Sequence, residues 1–261
     1  MNILQAIILG IVQGLTEFLP VSSSGHIELG KVLLNTQNVG IDFSILVHIA
    51  TALSTVIVFR RDIAGLIMSI FRLDRESIEY AAKLILSAVP VGVVGLLFKD
   101  QLELLFEGRI ILVGCMLIVT ALLLFLTTRV RTSEKPVGFV EAIVIGFAQM
   151  VAILPGISRS GATIATALLL KVDRTQAAKF SFLMVLIPIF GQAFLDLLDM
   201  AKGEAAWSMD TGVALAGFLA AFISGLVACT FMLQIVRRGK LYYFSIYCVI
   251  VGLIAIVAGL A

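Results

Sequence analysis

Long apolar stretches make up most of this chain, and two polar interruptions of the same kind divide them. The first reads Gln13-Gly-Leu-Thr-Glu17-Phe-Leu-Pro20-Val-Ser22-Ser23-Ser24-Gly25-His26, and the second Gln149-Met-Val-Ala-Ile-Leu-Pro155-Gly-Ile-Ser158-Arg159-Ser160-Gly161-Ala-Thr163. At one offset of 136 positions, Ala6, Gly10, Gln13, Ser22, Ser24 and Gly25 match Ala142, Gly146, Gln149, Ser158, Ser160 and Gly161. Phe43-Ser-Ile-Leu against Phe180-Ser-Phe-Leu is a weaker echo. The apolar segments flanking each interruption (3–19 and 27–34, then 140–154 and 161–170) are too short to cross a bilayer, which takes about 20 apolar residues. Each pair predicts a re-entrant helix–loop–helix, tolerated at membrane depth only where protein or a water-filled cavity surrounds the bared backbone.

Longer runs predict six full spans, at about 43–59, 80–98, 110–128, 178–198, 211–236 and 241–260. Residues 62–77 mix charges with apolar residues and read as an interfacial amphipathic helix. Pro90 is a kink candidate within its span. The expected fold is therefore an all-α polytopic membrane protein of two repeats. The first, 1–128, has its re-entrant hairpin at 3–36; a polar cytoplasmic linker covers 129–139; the second, 140–261, has its hairpin at 140–171. Three spans per repeat is an odd number, so the second repeat inserts upside down. That is the inverted-repeat plan, with a site at the midplane where broken helices meet.

Composition agrees with a membrane protein: 60% of residues are hydrophobic and only 14% charged, and the mean hydropathy is +1.10. A net charge of +2 gives no reason to expect nucleic acid. No cleavable leader is expected, because the first apolar run lacks a basic start and is interrupted by Gln5, Gln13 and Glu17. Of the 19 Lys and Arg residues, the span plan sends all but Lys31, Lys99, Arg109, Lys202 and the membrane-embedded Arg159 to the side opposite the N-terminus. That side is then cytoplasmic, with both termini outside. Trp207 is expected at an interface, and Cys115, Cys229 and Cys248 as packing residues.

The interruptions carry the chemistry. Gln13 and Glu17 lie four apart on one helix face and offer oxygens to a hard divalent cation, Mg²⁺ or Ca²⁺; Glu17 could instead serve as a structural acid paired with Arg159. Ser22, Ser23, Ser24 and Gly25, and likewise Ser158, Ser160 and Gly161, precede new helices. Hydroxyls, free N–H groups and the positive helix end make an anion site there, to which Arg159 adds a fork suited to phosphate. N-capping is the plainer role of the serines. His26 could act as acid, base or nucleophile, whereas His48 reads as structural, Asp196 and Asp199 as interface residues, and Asp173 with Arg174 as a turn pair. The set suits a phosphorylated amphiphile, and the residues alone leave cleaving and carrying both open.

At these residues the chain resembles the undecaprenyl-diphosphate phosphatase family of the bacitracin-resistance type. Its first signature, an acid or Gln, three residues, Glu, and a Pro-Val-Ser-Ser-small-Gly-His segment, is met by Gln13 through His26. Its second, Pro-Gly-x-Ser-Arg-Ser-x-x-Thr, is met by Pro155 through Thr163. The resemblance implies metal-dependent hydrolysis of undecaprenyl diphosphate to the monophosphate and phosphate. This recycles the lipid carrier of cell-wall synthesis and confers bacitracin resistance, from a site on the outer face of the cytoplasmic membrane. It carries over Glu17, Ser23, His26, Ser158, Arg159, Ser160 and Thr163, with Gln13 at the variable acid/Gln position. Expected roles follow: Glu17 and Gln13 hold the metal, Ser22, Ser24, Ser158, Arg159, Ser160 and Thr163 bind the diphosphate, His26 handles the proton or attacks directly, and Ser23 or water is the competing nucleophile. A transporter of polyprenyl phosphate using the same midplane site is the rival reading. A homodimer is the protein partnership considered.

Overall fold

A computed structural model describes residues 1–36, 41–98, 109–130, 133–202 and 209–260, and of these the side chains of 41–42, 196–197 and 199–202 are left aside. Trp207, Lys99 and Arg131 lie outside the described residues, as do the side chains of Asp196, Asp199 and Lys202. Twelve α-helices are described: α1 Ile3–Phe18, α2 Ser23–Leu33, α3 Ile41–Val58, α4 Arg60–Phe71, α5 Arg75–Leu97, α6 Ile110–Leu126, α7 Phe139–Val151, α8 Arg159–Leu169, α9 Arg174–Met184, α10 Leu186–Lys202, α11 Thr211–Arg238 and α12 Tyr242–Leu260. Among the described residues there is no β-strand, only an isolated bridge between Lys135 and Val172. The chain is an all-α polytopic membrane protein.

Spans are recognised by length and composition. Arg75–Leu97, Ile110–Arg129, Arg174–Leu195, Thr211–Arg238 and Tyr242–Leu260 are long and apolar enough to cross a bilayer. The pair α3 and α4, bent by 74° at Phe59, passes the same test together and makes a sixth. At 1.5 Å rise per residue, α1 and α7 reach only about 24 and 20 Å, short of a hydrocarbon core of about 30 Å. Hydrophobicity is arranged as lipid requires. Leu4, Ile8, Ile11 and Leu15 of α1 are exposed, whereas Gln13, Thr51, Ser54, Thr55 and Gln149 are buried. The largest apolar cluster gathers Phe18, Phe59, Ile164, Phe180, Phe182 and Met184 around α8 and α9.

Some boundaries differ from the sequence reading. The amphipathic helix expected over 62–77 is α4, ending at Phe71, and the next span begins already at Arg75 because Asp74 caps it by accepting from the Ser77 N–H at 3.0 Å. Pro90 sits inside α5 without ending it. The span expected at 178–198 is two helices that meet at Val185. Pro188 has no N–H for the Met184 carbonyl and its ring crowds that carbonyl, so the ladder is interrupted there. Asp173 is an N-cap, accepting from the Thr175 and Gln176 N–H groups, rather than half of a turn pair. Cys229 and Cys248 are buried as expected of packing residues, but Cys115 is exposed.

The two halves exchange partners. α1 packs along α11, and α7 packs along α5. The matched glycines mark both crossings: a Cβ on Gly10 would stand 2.5 Å from the Gly217 carbonyl oxygen, and one on Gly146 would stand 2.5 Å from that of Ser87. Gly14 is tighter still, since its Cβ would meet Ser224 Oγ, the Ala221 carbonyl oxygen at 2.5 Å and the Gly225 nitrogen at 2.8 Å. Gly14→Ala is therefore expected to lower stability by about 1–3 kcal/mol through overpacking, although Ala is the better helix former. Gly95→Ala, where a Cβ meets nothing within 4 Å, is expected to stabilise by up to about 1 kcal/mol. Thermal unfolding in detergent compares the two; equal midpoints would contradict the close crossing.

Candidate active site

Both half-helix pairs break in the same way. α1 ends at Phe18 and α2 starts at Ser23; α7 ends at Val151 and α8 starts at Arg159. Ser22 caps α2 by accepting from the Gly25 N–H at 3.3 Å, and Ser158 caps α8 by accepting from the Gly161 N–H at 3.0 Å. Ser22 and Ser24 hydroxyls lie 3.4 Å apart, those of Ser158 and Ser160 3.3 Å. Ser22 holds a φ of 70°, a left-handed conformation that a serine adopts only when its surroundings impose it.

The breaks face each other. A Cβ on Gly25 would lie 3.3 Å from Gly156 Cα, and one on Gly161 would lie 3.2 Å from Pro20 Cβ. At the 136-residue offset these are the same contact made twice, because Pro20 corresponds to Gly156. The Ser160 hydroxyl donates across to the Leu19 carbonyl at 3.3 Å. Each loop is also held by the last span of the other half. Thr120 Oγ1 of α6 donates to the Gly156 carbonyl and accepts from the Ser158 N–H, while Cys248 Sγ of α12 reaches the Pro20 carbonyl at 3.7 Å. The α6 and α12 helices pack against each other.

This arrangement brings Glu17, at the end of α1, against Arg159, at the start of α8. Arg159 Nη2 donates to Glu17 Oε1. Glu17 Oε2 accepts from Ser23 Oγ at 2.6 Å and from Gln13 Nε2 at 3.0 Å. The Glu17 side chain is only 7% exposed. A carboxylate so deep in a membrane protein is tolerable because the arginine and two donors satisfy it.

His48 on α3 joins this group. Its Nδ1 lies 2.7 Å from the Ser44 carbonyl oxygen. A carbonyl only accepts, so Nδ1 carries a proton, and Nε2 faces Glu17 Oε2 at 3.7 Å. His26 is placed differently. Its Nδ1 is 2.9 Å from the Ser22 carbonyl oxygen and its Nε2 is 2.8 Å from the Tyr247 hydroxyl, against whose ring it stacks. Both ring nitrogens are thus engaged, and the ring braces the strained residue that precedes Ser23.

A cavity of about 280 Å³, lined among others by Ser23, Ser24, Glu28, His48, Gln149 and Arg159, opens on one side of the pair. At about 30 Å³ of liquid volume per molecule it equals on the order of nine waters. A far narrower gap, about 10 Å³, touches Glu17, Arg159, Ser160, Thr163 and Ser181. Of the residues expected to bind diphosphate, Ser24 and Arg159 thus line the larger space. Ser160 and Thr163 border the narrow one, where the Thr163 hydroxyl donates to the Arg159 carbonyl at 2.9 Å. Ser22 and Ser158 are buried as caps.

The donor set for a cation is small. Among the described residues no group of three or more His, Cys, Asp or Glu converges on one point. Gln13 turns its amide toward Glu17, which leaves its Oε1 buried without a partner. One carboxylate beside one orphaned amide oxygen fits a hard divalent cation whose remaining ligands are phosphate oxygens and water.

The sequence reading missed two residues of this site. His48 was legible as an ionisable group inside an apolar span, and Gln149 as the counterpart of Gln13.

Fold and site together define a membrane-embedded protein with a polar centre between two broken helix pairs. Residues 6–254 match the family model described as bacitracin resistance protein BacA, and the chain belongs to that family. It is 50% identical to an undecaprenyl-diphosphatase of Christiangramia forsetii over 98% of both chains. It is 45% identical to one of Bacteroides fragilis over 97% of both, and 41% identical to one of Korarchaeum cryptofilum over 97% of this chain and 98% of the other.

Proposed function

We propose that this protein is an integral membrane phosphatase. It hydrolyses undecaprenyl diphosphate to the monophosphate and inorganic phosphate, recycles the lipid carrier for cell-wall synthesis and confers bacitracin resistance. The observation that carries the reading is the meeting of Glu17, Ser23 and Arg159, drawn from both breaks, beside one polar cavity. Membership of a family whose members include undecaprenyl-diphosphatases supports it.

In the proposed mechanism, Arg159 keeps N–H groups of its fork free for the terminal phosphate while one of them holds Glu17. The hydroxyls of Ser24 and Ser160 and the positive ends of α2 and α8 add to that field. Ser23 Oγ attacks the terminal phosphorus as Glu17 takes its proton, the arrangement of a nucleophile hydrogen-bonded to its base. The bridging oxygen keeps the bonding electrons and leaves with the polyprenyl monophosphate. Water then attacks the phosphoserine, its proton goes to His48 Nε2, and Ser23 recovers its own from Glu17. His26 holds the Ser22 carbonyl and thereby aims Ser23.

A divalent cation, Mg²⁺ or Ca²⁺, would sit on Glu17 and Gln13 and supply charge neutralisation for the diphosphate. Gln13→Glu is expected to raise metal affinity by adding a second carboxylate. A Mg²⁺ titration of the variant that shows no gain would count against this assignment.

We further place the protein in the cytoplasmic membrane as inverted repeats 1–128 and 140–261. Both termini lie outside and the site faces outward. In support, basic groups that the span plan assigns to the cytoplasmic side meet other segments assigned to it: Lys179 pairs with Asp62 at 2.5 Å, Lys135 with Glu141 at 2.5 Å, and Arg174 lies against Gly239. The test is phosphate release from polyprenyl diphosphate by the purified protein, with and without chelator. Metal-dependent release is expected. A folded, lipid-binding protein that releases none, yet moves polyprenyl phosphate across liposomes, would replace the phosphatase with a transporter.

A further inference from the structure

Gln149 and Gln13 are counterparts at the 136-residue offset, and both are fully buried. Their surroundings differ in one respect. One turn beyond Gln13 stands Glu17, whose carboxylate takes the amide N–H at 3.0 Å. One turn beyond Gln149, the counterpart of Glu17 is Ile153. The second amide thus lacks the anion that satisfies the first, and neither Nε2 nor Oε1 of Gln149 has a hydrogen-bond partner. Leaving buried polar atoms unsatisfied is destabilising, and each such group in a folded protein calls for a reason.

The wall in which Gln149 sits gives one. Gln149 and Ile153 both line the 280 Å³ cavity, together with Arg159, Ser23 and His48. The Gln149 side chain stands in the cavity wall with no accessible surface of its own, so its amide meets what enters that cavity by a turn of its side chain toward it. We infer that Gln149 is a substrate-binding residue whose Nε2 donates to a phosphate oxygen of the bound diphosphate, where the first half supplies the Glu17 carboxylate. Its Oε1, an acceptor, repels phosphate oxygen and takes a water or hydroxyl at the edge of the headgroup. The absence of a carboxylate at position 153 is then functional: a second acid there would satisfy Gln149 and repel the ligand. This deepens the diphosphate reading of the same site and rests on it.

Gln149→Leu keeps the volume and removes both polar atoms. If the amide only packs, replacing an unsatisfied polar group by an apolar one is neutral or stabilising and ligand binding does not change. If it binds phosphate, the variant is at least as stable as wild type but binds worse. A hydrogen bond to a charged group is worth about 1.5–3 kcal/mol, or roughly tenfold to a hundredfold in affinity. The experiment measures KM for polyprenyl diphosphate, inhibition by inorganic pyrophosphate, and the rise in unfolding temperature that pyrophosphate gives each protein. Gln149→Leu is expected to raise KM and the inhibition constant about tenfold or more and to lose the pyrophosphate-induced rise. Ile153→Glu is expected to lose it as well, with its unliganded unfolding temperature as the check on folding. Wild-type KM, inhibition and thermal shift in a folded Gln149→Leu would overturn the inference. If wild type hydrolyses no diphosphate but is still stabilised by pyrophosphate through Gln149, the phosphatase reading fails and the phosphate contact stands.

Discussion

Arg159→Ala is expected to lower phosphate release by three orders of magnitude or more. Arginines that stabilise a transferring phosphoryl group are worth about 10³–10⁵ in rate, and here the same guanidinium also holds the carboxylate proposed as base. The substitution acts on stability too. It leaves Glu17, 7% exposed, without its counter-charge, and breaking one side of a buried pair costs about 3–5 kcal/mol. The two effects separate in a second variant. Adding Glu17→Gln removes the stranded charge, so the double variant regains most of the lost unfolding temperature and none of the activity. Arg159→Lys restores charge without the planar fork and is expected to remain strongly impaired. Phosphate release per folded molecule, read beside thermal unfolding in detergent, checks all three. Activity within tenfold of wild type in Arg159→Ala would remove the arginine from the chemistry.

Ser23→Ala carries the second large effect. Ser23 Oγ is 2.6 Å from Glu17 Oε2 and faces the cavity at the start of a helix. A nucleophile of that kind, once deleted, leaves only direct attack by water, and a loss of about 10³ or more in kcat is expected, as for other covalent centres. Acid quenching of wild type during turnover with terminally labelled substrate is expected to trap label on Ser23 and none in Ser23→Ala. A loss of tenfold or less with no trapped label would assign the attack to water, with Ser23 merely orienting Glu17.

The breaks were the most legible part of the chain. Pro20, the Ser-Gly runs and the segments too short to span announced them, because a half-helix at membrane depth must cap its bared N–H groups with its own side chains. The Glu17–Arg159 pairing was legible as an alternative for the same reason: two opposite charges at one depth have few other partners. Caps and breaks that depend on a single residue were less visible. Asp74 ends the amphipathic helix early through one hydrogen bond to the Ser77 N–H, and Pro188 divides a run whose hydropathy is continuous. The two histidines show where one-dimensional reading stops. His26 stands among polar residues in sequence, yet its ring packs on Tyr247, 221 positions away. His48 stands in sequence between Val47 and Ile49, yet α3 sets it against Glu17. The pairing of α1 with α11 and of α7 with α5 decides such contacts, and that pairing rests on glycines whose meaning appears only when the opposite helix is in place.

The central claim is that the two breaks form one catalytic centre. A double-mutant cycle on Glu17→Gln and Arg159→Gln, read as kcat/KM for polyprenyl diphosphate, tests it most directly. Residues that act as a unit lose together, so the double variant is expected to be no slower than the slower single one. Losses that multiply, driving the double variant far below either single, would mean that the two residues serve separate sites.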